Sequence, residues 1–200
     1  MTKWVDRRYF SELAAAVPEH ICRNNRAVYD TASGTYSVRL WNETYLVDPK
    51  QRTIVAAPAD FVPQEYFPVF LMYYLLHTDD NRPGTDWISE KDLPGGATFF
   101  RGPHLIPTAL ISDTFANNLQ AFIDSCHALH GEPLQLADAA FKFQITPEIP
   151  VVVLYWTGDE DFPAEAKILF DRSMIDFMPL DVVFALAVEV CDRFRRLAEK

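Results

Sequence analysis

The sequence lacks the short motifs that identify the commonest enzyme classes. Its 200 residues contain no GxxxxGK[ST] phosphate loop, no GxGxxG dinucleotide fingerprint, no HExxH zinc motif and no GxSxG nucleophile elbow. Each motif supplies groups that its chemistry requires, so interpretations as a nucleotide-binding, dinucleotide-binding, zincin or serine-hydrolase protein lack their parts. A CxxC pair is missing as well, which removes the usual iron–sulfur or zinc-ribbon framework.

Positive charge is also scarce. The chain has 18 Lys and Arg residues against 28 Asp and Glu residues, for a formal net charge of −10, and no basic block interrupts this balance. An acidic surface repels phosphate backbones and anionic lipids. We therefore expect neither nucleic acid nor a membrane surface as a partner, although a local basic pocket could still hold a small anion.

Long apolar runs and paired cysteines are missing too. No stretch reaches the ~18 apolar residues that span a bilayer, and the N-terminal segment lacks the apolar core of a signal peptide. The three cysteines, Cys22, Cys126 and Cys191, are odd in number and widely spaced. This pattern fits a reducing compartment better than a disulfide framework, so we expect a soluble cytoplasmic protein.

What is present is the composition of an ordered globular protein. Hydrophobic residues make up 49% of the chain and charged residues 23%, which is enough apolar side chain for a packed core. A chain of this length suits one domain, and we expect residues 1–200 to form a single domain. Fourteen prolines against seven glycines indicate many rigid loops.

The clearest strand signals lie in the second half of the chain. Phe141, Phe143 and Ile145 alternate with polar residues, which predicts a strand with one buried face. Two prolines, which cannot donate to a ladder, separate it from the apolar run 151–156. That run predicts a central strand buried on both faces. Residues 166–170 then return after a polar loop, which completes a meander.

A second meander is predicted in the first half of the chain. Short stretches over 36–40, 44–47 and 53–56 predict three strands, joined by turns at Asn42-Glu43 and Asp48-Pro49. The predicted helices cover residues 3–17, 64–77, 112–130 and 180–197, and residues 79–107 are predicted to be irregular. The sequence therefore predicts an α+β fold, with a mainly antiparallel sheet made of two meanders and about four helices packed against it.

The first candidate site lies in the long irregular segment. Arg101 and His104 flank Gly102, whose missing side chain lets a ligand approach the backbone closely. The arginine and histidine side chains could bind an anion there. In the alternative interpretation, the aromatic pair before Arg101 anchors the loop in the core, and Arg101 pairs with an acid such as Asp159 or Asp171.

The second candidate site is a run of acids after the central strand. Asp159, Glu160 and Asp161 occupy one loop, and Asp171 follows the next strand. Clustered carboxylates could bind a hard cation, and like charges held together would raise the pKa of one of them for acid–base work. The spacing of a calcium-binding EF-hand loop is missing. The alternative is a solvated hairpin loop that is polar only because it is exposed.

A third group of residues has a spacing that could chelate a metal. Cys126 and His130 lie four residues apart on a predicted helix and could face one ion. Two ligands do not make a site, and His20 and Cys22 could complete it only if the fold brought them near. Histidines at a helix end are also favourable without any metal, so we predict no metal site.

The order of several short motifs resembles a known family. The motifs are Leu75-Leu76-His77, Trp87-Ile88-Ser89, Asp92 to Gly96, Phe99 to His104, Gly131, Pro150 to Trp156, Gly158 to Phe162 and Phe170-Asp171. In this order they resemble a bacterial and archaeal domain family of unknown function, often encountered in anaerobes and sometimes joined to iron–sulfur or corrinoid proteins. The resemblance implies no known activity and no identified cofactor.

Three functions follow as hypotheses. The leading one is an accessory or small-ligand-binding domain of anaerobic metabolism, with a small anionic ligand or a protein as its partner. The alternative is a cation-assisted hydrolase or lyase, in which the acids of residues 159–161 hold a cation or act as a base while Arg101 and His104 stabilise an oxyanion. A third is a structural subunit that uses its aromatic residues, 14% of the chain, at an interface.

Overall fold

The computed structural model describes residues 2–23, 26–57, 62–78 and 83–198. The chain divides into two compact units, residues 1–81 and 82–200, and the expectation of one domain stays a prediction. Within the described residues there are seven α-helices and two antiparallel sheets. The predicted α+β class is therefore confirmed.

The first unit contains a four-stranded meander in the order β1-β2-β3-β4. Its strands are β1 (Ala27–Asp30), β2 (Thr35–Leu40), β3 (Glu43–Asp48) and β4 (Thr53–Ala57). The prediction missed β1, because only Ala27 of that strand is buried and the apolar Val28 lies on its exposed face, so the sequence does not alternate. The turn between β2 and β3 also lies one residue earlier than predicted, since Trp41 and Asn42 are its two residues with positive φ.

Three helices accompany this sheet. They are α1 (Arg7–Ala15), α2 (Pro18–Ile21) and α3 (Phe67–His77). The predicted helix over 3–17 is shorter than expected, because it begins after the Asp6 cap and ends before Pro18, which starts the separate helix α2. The apolar helix α3 is buried as predicted, and its Phe67 ring packs 5.5 Å from the Tyr45 ring of β3.

The second unit contains a five-stranded sheet in the order β5-β9-β8-β7-β6. Its strands are β5 (Trp87–Ser89), β6 (Glu132–Leu134), β7 (Ala139–Thr146), β8 (Ile149–Trp156) and β9 (Glu165–Asp171). The central strand β8 is buried along nearly its whole length, as predicted. Pro150 lies inside β8 and not before it, at the end where the pairing with β7 is irregular. An irregular end of a ladder tolerates a residue that cannot donate.

Four helices belong to the second unit. They are α4 (Gly96–Phe99), α5 (Ala109–Phe115), α6 (Leu119–Ala128) and α7 (Leu180–Ala198). Short 3₁₀ helices cover Glu90–Asp92, Gly102–His104 and Arg172–Asp176. The prediction of one helix over 112–130 is wrong, since α5 and α6 are separate. The prediction of an irregular segment over 79–107 is also wrong in part, since its described residues include β5, α4 and two 3₁₀ helices.

An aromatic cluster joins the helices of the second unit to its sheet. The Phe122 ring of α6 stacks 4.5 Å from the Tyr155 ring of β8 and 5.6 Å from the Phe194 ring of α7. Phe194 also meets Phe143 of β7 edge-on at 5.7 Å. Packing of this kind fixes the helices on one face of the sheet. In the part of the chain that the structure describes, no helix is long and apolar enough to cross a membrane.

Candidate functional site

A cleft of about 370 Å³ opens in the second unit between the α5–α6 turn and the β8–β9 loop. One wall comes from the end of α5 and the turn after it, and the other comes from the loop. The residues that line it include Ser112, Asp113, Asn117, Gly158, Asp159 and Phe162. The cleft therefore joins two segments that are about forty residues apart in the sequence.

The helical wall of the cleft is formed by an abrupt break after α5. The backbone of Ala116 has φ 45° and ψ −114°, a conformation that residues with a side chain rarely adopt. Its carbonyl accepts a hydrogen bond from the hydroxyl of Tyr155 on β8. The Asn118 side chain then accepts from the Ala121 amide at 3.1 Å and caps α6. Because one end is tied to the sheet and the other is capped, the turn has a defined shape.

The two walls are also hydrogen-bonded to each other. The Asn117 Oδ1 atom accepts from the amide of Gly158 at 2.9 Å. Gly158 must be a glycine, because a Cβ atom there would lie 2.7 Å from the Ala164 amide nitrogen and 2.9 Å from the Phe162 carbonyl oxygen. This close approach of backbone segments sets the width of the loop.

The acidic loop is shaped by one of its own carboxylates. The Asp159 Oδ1 atom accepts from the amides of Asp161 and Phe162, both at 2.8 Å. The Asp159 amide donates in turn to the Phe162 carbonyl at 2.8 Å. Asp159 therefore builds the loop and lines the cleft, whereas Glu160 and Asp161 do not line it; all three residues are exposed.

A further acid holds the start of this loop. Asp138 Oδ2 accepts from the amide of Thr157 at 2.9 Å and from its hydroxyl at 2.8 Å. The hydrogen bond from the Thr157 amide, followed by that from its hydroxyl, lowers the pKa of Asp138. The ionised carboxylate is thus the form that fixes the loop.

The cleft offers acceptors and no basic side chain. Asp113 and Asp159 contribute carboxylates, and among the described residues no Lys, Arg or His lines it. Ser112 is only 8% exposed, and its hydroxyl makes no hydrogen bond within the described part of the chain. This hydroxyl is open to solvent, because among the described residues the buried side-chain polar atoms without a partner are Thr78 Oγ1 and Asp171 Oδ2.

Arg101 and His104 lie elsewhere in the second unit. Arg101 is exposed and forms no ion pair among the described residues, so the suggested pairing with Asp159 or Asp171 is not found there. The His104 ring stacks 4.4 Å from Phe99 and meets Phe184 of α7 edge-on at 5.6 Å.

The helix α7 shows how far this loop lies from the cleft. His104 contacts Phe184, whereas Phe115, the residue before the cleft turn, contacts Phe194 with ring centroids 6.1 Å apart. Phe194 follows Phe184 by ten residue steps in the same helix, a rise of about 15 Å. The structure therefore does not bring Arg101 and His104 together with Asp159.

Asp171 occupies a third position. It ends β9, and that strand begins at Glu165 beside the cleft loop. The length of the strand therefore separates Asp171 from the cleft loop by about 20 Å. Asp171 is 1% exposed and caps a 3₁₀ helix, since its Oδ1 atom accepts from the amide and hydroxyl of Ser173 at 3.0 and 2.5 Å. Its Oδ2 atom is buried and has no partner among the described residues.

The cysteine and histidines of α6 do not form a metal site. Cys126 is fully buried, and burial raises the pKa of its thiol. His130 follows the end of α6 with φ 59°, so the four-residue helical spacing to Cys126 does not apply. Among the described residues, no group of three or more His, Cys, Asp or Glu side chains could hold a metal ion.

Sequence reasoning missed most residues of the cleft. The predicted helix over 112–130 begins with Ser112 and Asp113 and has Asn117 in its interior, so it marks none of the three as a cleft residue. The tandem Asn117-Asn118 was the available signal, because asparagine is a poor residue for a helix interior and a good one for a cap.

Comparison with known proteins identifies a family. A family model described as a domain of unknown function (DUF3786) matches residues 17–193. No curated protein and no solved structure matches the chain. The match agrees with the resemblance of the motifs to an uncharacterised domain family.

Proposed function

The chain belongs to the family of the domain of unknown function DUF3786, and this description names no activity. We therefore propose a function from the structure of the cleft. The protein is a small-ligand-binding domain, and it has an accessory role instead of a catalytic one. The observation that carries this proposal is the cleft of about 370 Å³, whose two walls are hydrogen-bonded to each other through Asn117 and Gly158. A concave site with few polar groups is typical of small-molecule sites.

The support for binding is that hydrogen bonds within the chain hold the walls of the cleft. Tyr155 holds the Ala116 carbonyl, Asn117 holds the Gly158 amide, and Asp138 holds Thr157. A site whose walls are already fixed loses less conformational entropy when a ligand binds. Such a site can therefore bind small molecules with few contacts.

The hydrolase or lyase alternative needs a different geometry. Its oxyanion-stabilising groups, Arg101 and His104, must lie within hydrogen-bond reach of the atoms on which an acid such as Asp159 acts. The separation of about 15 Å along α7 favours the binding role over this alternative. A small anion bound by Arg101 and His104 alone stays a separate prediction.

The proposal also covers the metabolic role, the cellular location and the protein partner of this domain. We infer an accessory domain of anaerobic metabolism from the resemblance of the motifs, and a cytoplasmic location from the odd number and wide spacing of the cysteines. A protein partner would then receive or supply the ligand.

Binding can be tested by screening small polar fragments against the full chain labelled with ¹⁵N. We expect hits to shift the amide signals of residues 112–117 and 158–164. Phe162→Ala should weaken these hits by roughly threefold to tenfold, because the exposed Phe162 ring forms part of the wall. Leu105→Ala is the matched control, since Leu105 is also an exposed apolar residue of this unit, 63% against 71%, outside the cleft.

Two results would contradict the proposal. One is a screen with no hit at millimolar concentration. The other is a set of hits whose shifts centre on Arg101 and His104 and whose affinity does not change in Phe162→Ala.

A further inference from the structure

We propose that the outer face of the four-stranded sheet in the first unit binds a second copy of this chain, so that two sheets pack face to face in a weak two-fold dimer. This face belongs to the first unit, whereas the cleft belongs to the second. The inference concerns self-association and goes beyond the proposed function, so either proposal can fail while the other holds.

An exposed apolar row crosses the outer face of this sheet. It consists of Val28, Ser37, Leu46 and Val55, which are register partners from one strand to the next. Its three apolar residues are 69%, 43% and 46% exposed, in chain order. Side chains on the other face of the sheet, such as that of Tyr45, are buried. A contiguous exposed apolar patch is typical of an interaction surface.

Charged residues of opposite sign flank this row on its two sides. On one side, Arg39 is exposed near the end of β2. On the other side, Asp30 of β1 pairs with Thr35 of β2, and Asp48 of β3 is the next position in the same register. The turn over 49–52 also brings two basic residues to that side. The complementarity therefore lies in the positions of the charges and not in the net charge of either side.

A two-fold axis along the apolar row brings these opposite charges together. Such an axis lays each strand on its own copy in the reverse direction, so Arg39 lies over Thr35 of the second copy. Asp30 and Asp48 of that copy flank this position on the neighbouring strands, each about 4.8 Å to the side. The contact is repeated with the copies exchanged, as a two-fold interface requires. An axis parallel to the strands would instead bring the two Arg39 side chains near each other, which is unfavourable.

The size of the face indicates a weak dimer. Four strands about 4.8 Å apart and about six residues long give a flat area of about 400 Å² per copy, whereas stable complexes bury about 800 Å² per partner. Sheets packed face to face keep their strand directions within about 30°, which preserves the charge contacts over so short a face. We therefore expect a monomer at about 10 µM and a substantial fraction of dimer at about 1 mM.

Sedimentation equilibrium of the full chain over this concentration range tests the association. Leu46→Glu should weaken it about tenfold or more, because the axis brings the two copies of this residue together and two carboxylates would then meet. Val17→Glu is the matched control, since Val17 is an apolar residue of the same unit, 51% exposed against 43%, and lies outside the sheet. We expect this control to change the association by less than roughly twofold.

Charge reversals test the two-fold arrangement itself. Arg39→Glu places a glutamate between two acids, and Asp48→Lys places a lysine beside an arginine, so each variant alone should associate roughly threefold to tenfold more weakly. In an equimolar mixture opposite charges meet again, and a mixed dimer should form with an affinity within roughly twofold of the original. Asp48 Oδ1 accepts from the amides of Lys50 and Gln51, so the amide spectrum of Asp48→Lys checks its fold. Asp30→Lys takes its place if that turn is lost.

Three results would overturn the inference. The first is a chain that stays monomeric at about 1 mM. The second is a dimer that Leu46→Glu does not weaken, because another surface would then hold it. The third is a mixture of the two charge variants that associates no better than either variant alone, because the two-fold arrangement would then be wrong.

Discussion

The hydroxyl of Tyr155 donates a hydrogen bond to the backbone carbonyl of Ala116. Tyr155 lies on the central strand of the second sheet, and Ala116 is the residue at which α5 ends. The bond therefore ties the turn that forms one wall of the cleft to the most buried strand of the unit. Stability and binding should respond together when it is removed.

Tyr155→Phe removes this hydroxyl and keeps the ring that stacks on Phe122. We expect the free energy of unfolding to fall by about 0.5–1.5 kcal/mol, the net contribution of one hydrogen bond. Amide hydrogen exchange of residues 116–118 should become faster, since the turn is released. Both effects can be measured by urea unfolding and exchange followed by NMR.

Tyr36→Phe is the control for the loss of a buried tyrosine hydroxyl. Tyr36 is 1% exposed, burial raises the pKa of its phenol to about 12, and its hydroxyl makes no hydrogen bond among the described residues. We expect this variant to be as stable as the original. An equal loss of stability in the two variants would mean that the bond to Ala116 contributes nothing.

Ala116→Gly should stabilise the protein. The φ of 45° and ψ of −114° at this residue disfavour any side chain, and glycine relieves a strain on the order of 1 kcal/mol. Ala121→Gly, inside α6, is the comparison and should destabilise by about 0.5–1 kcal/mol, because glycine is unfavourable within a helix. Thermal unfolding of both variants measures the difference. A loss of stability in Ala116→Gly equal to that in Ala121→Gly would contradict the strain at this turn.

The helix break at Ala116 also shows what the sequence could not reveal. Phe115, Leu119 and Phe122 keep a spacing of four and three residues across it, and the Phe115 and Phe122 rings lie 5.6 Å apart. One helix and two helices thus give the same apolar pattern. The strand β8 was predictable, because a run of buried apolar residues with polar ends fits a central strand and few other structures.

The cleft was harder to predict than the fold. Its central hydrogen bond joins Asn117 to Gly158, residues 41 apart in the chain, so no local spacing points to it. The acids of residues 159–161 were recognised, but only Asp159 lines the cleft. Which member of a charged run faces a site depends on the turn geometry of the loop, and the run itself carries no information on that.

The loop after β8 should depend on pH through Asp138. Its pKa is below the ordinary value of 3.8, so the folded state favours the ionised form. The stabilisation is present above the ordinary value and is lost as the pH falls through the lowered pKa. We expect the Thr157 amide to stay protected from exchange from pH 7 to about pH 4, and to lose protection below that.

Asp138→Asn is the control for this titration. Asparagine keeps an oxygen acceptor for Thr157 but cannot ionise in this range. Protection of the Thr157 amide should therefore change little between about pH 5 and about pH 2 in the variant. If the original protein lost protection at or above the ordinary pKa, or if the variant lost it in parallel, Asp138 would not be the group that holds the loop.

The long helix α7 carries a buried ion pair whose loss should be costly. Glu189 is fully buried, and its Oε1 atom accepts from Arg193 Nε at 2.7 Å and Arg196 Nη2 at 3.2 Å. Glu189→Gln keeps the volume but removes the charge opposite Arg193, which is itself 4% exposed. We expect a loss of about 3–5 kcal/mol in the free energy of unfolding, because a buried cation then lacks this carboxylate.

Glu165→Gln breaks an exposed ion pair with Lys167 at 3.2 Å and should cost less than about 1 kcal/mol. Equal costs in the two urea titrations would mean that burial of the Glu189 pair adds nothing to its effect on stability.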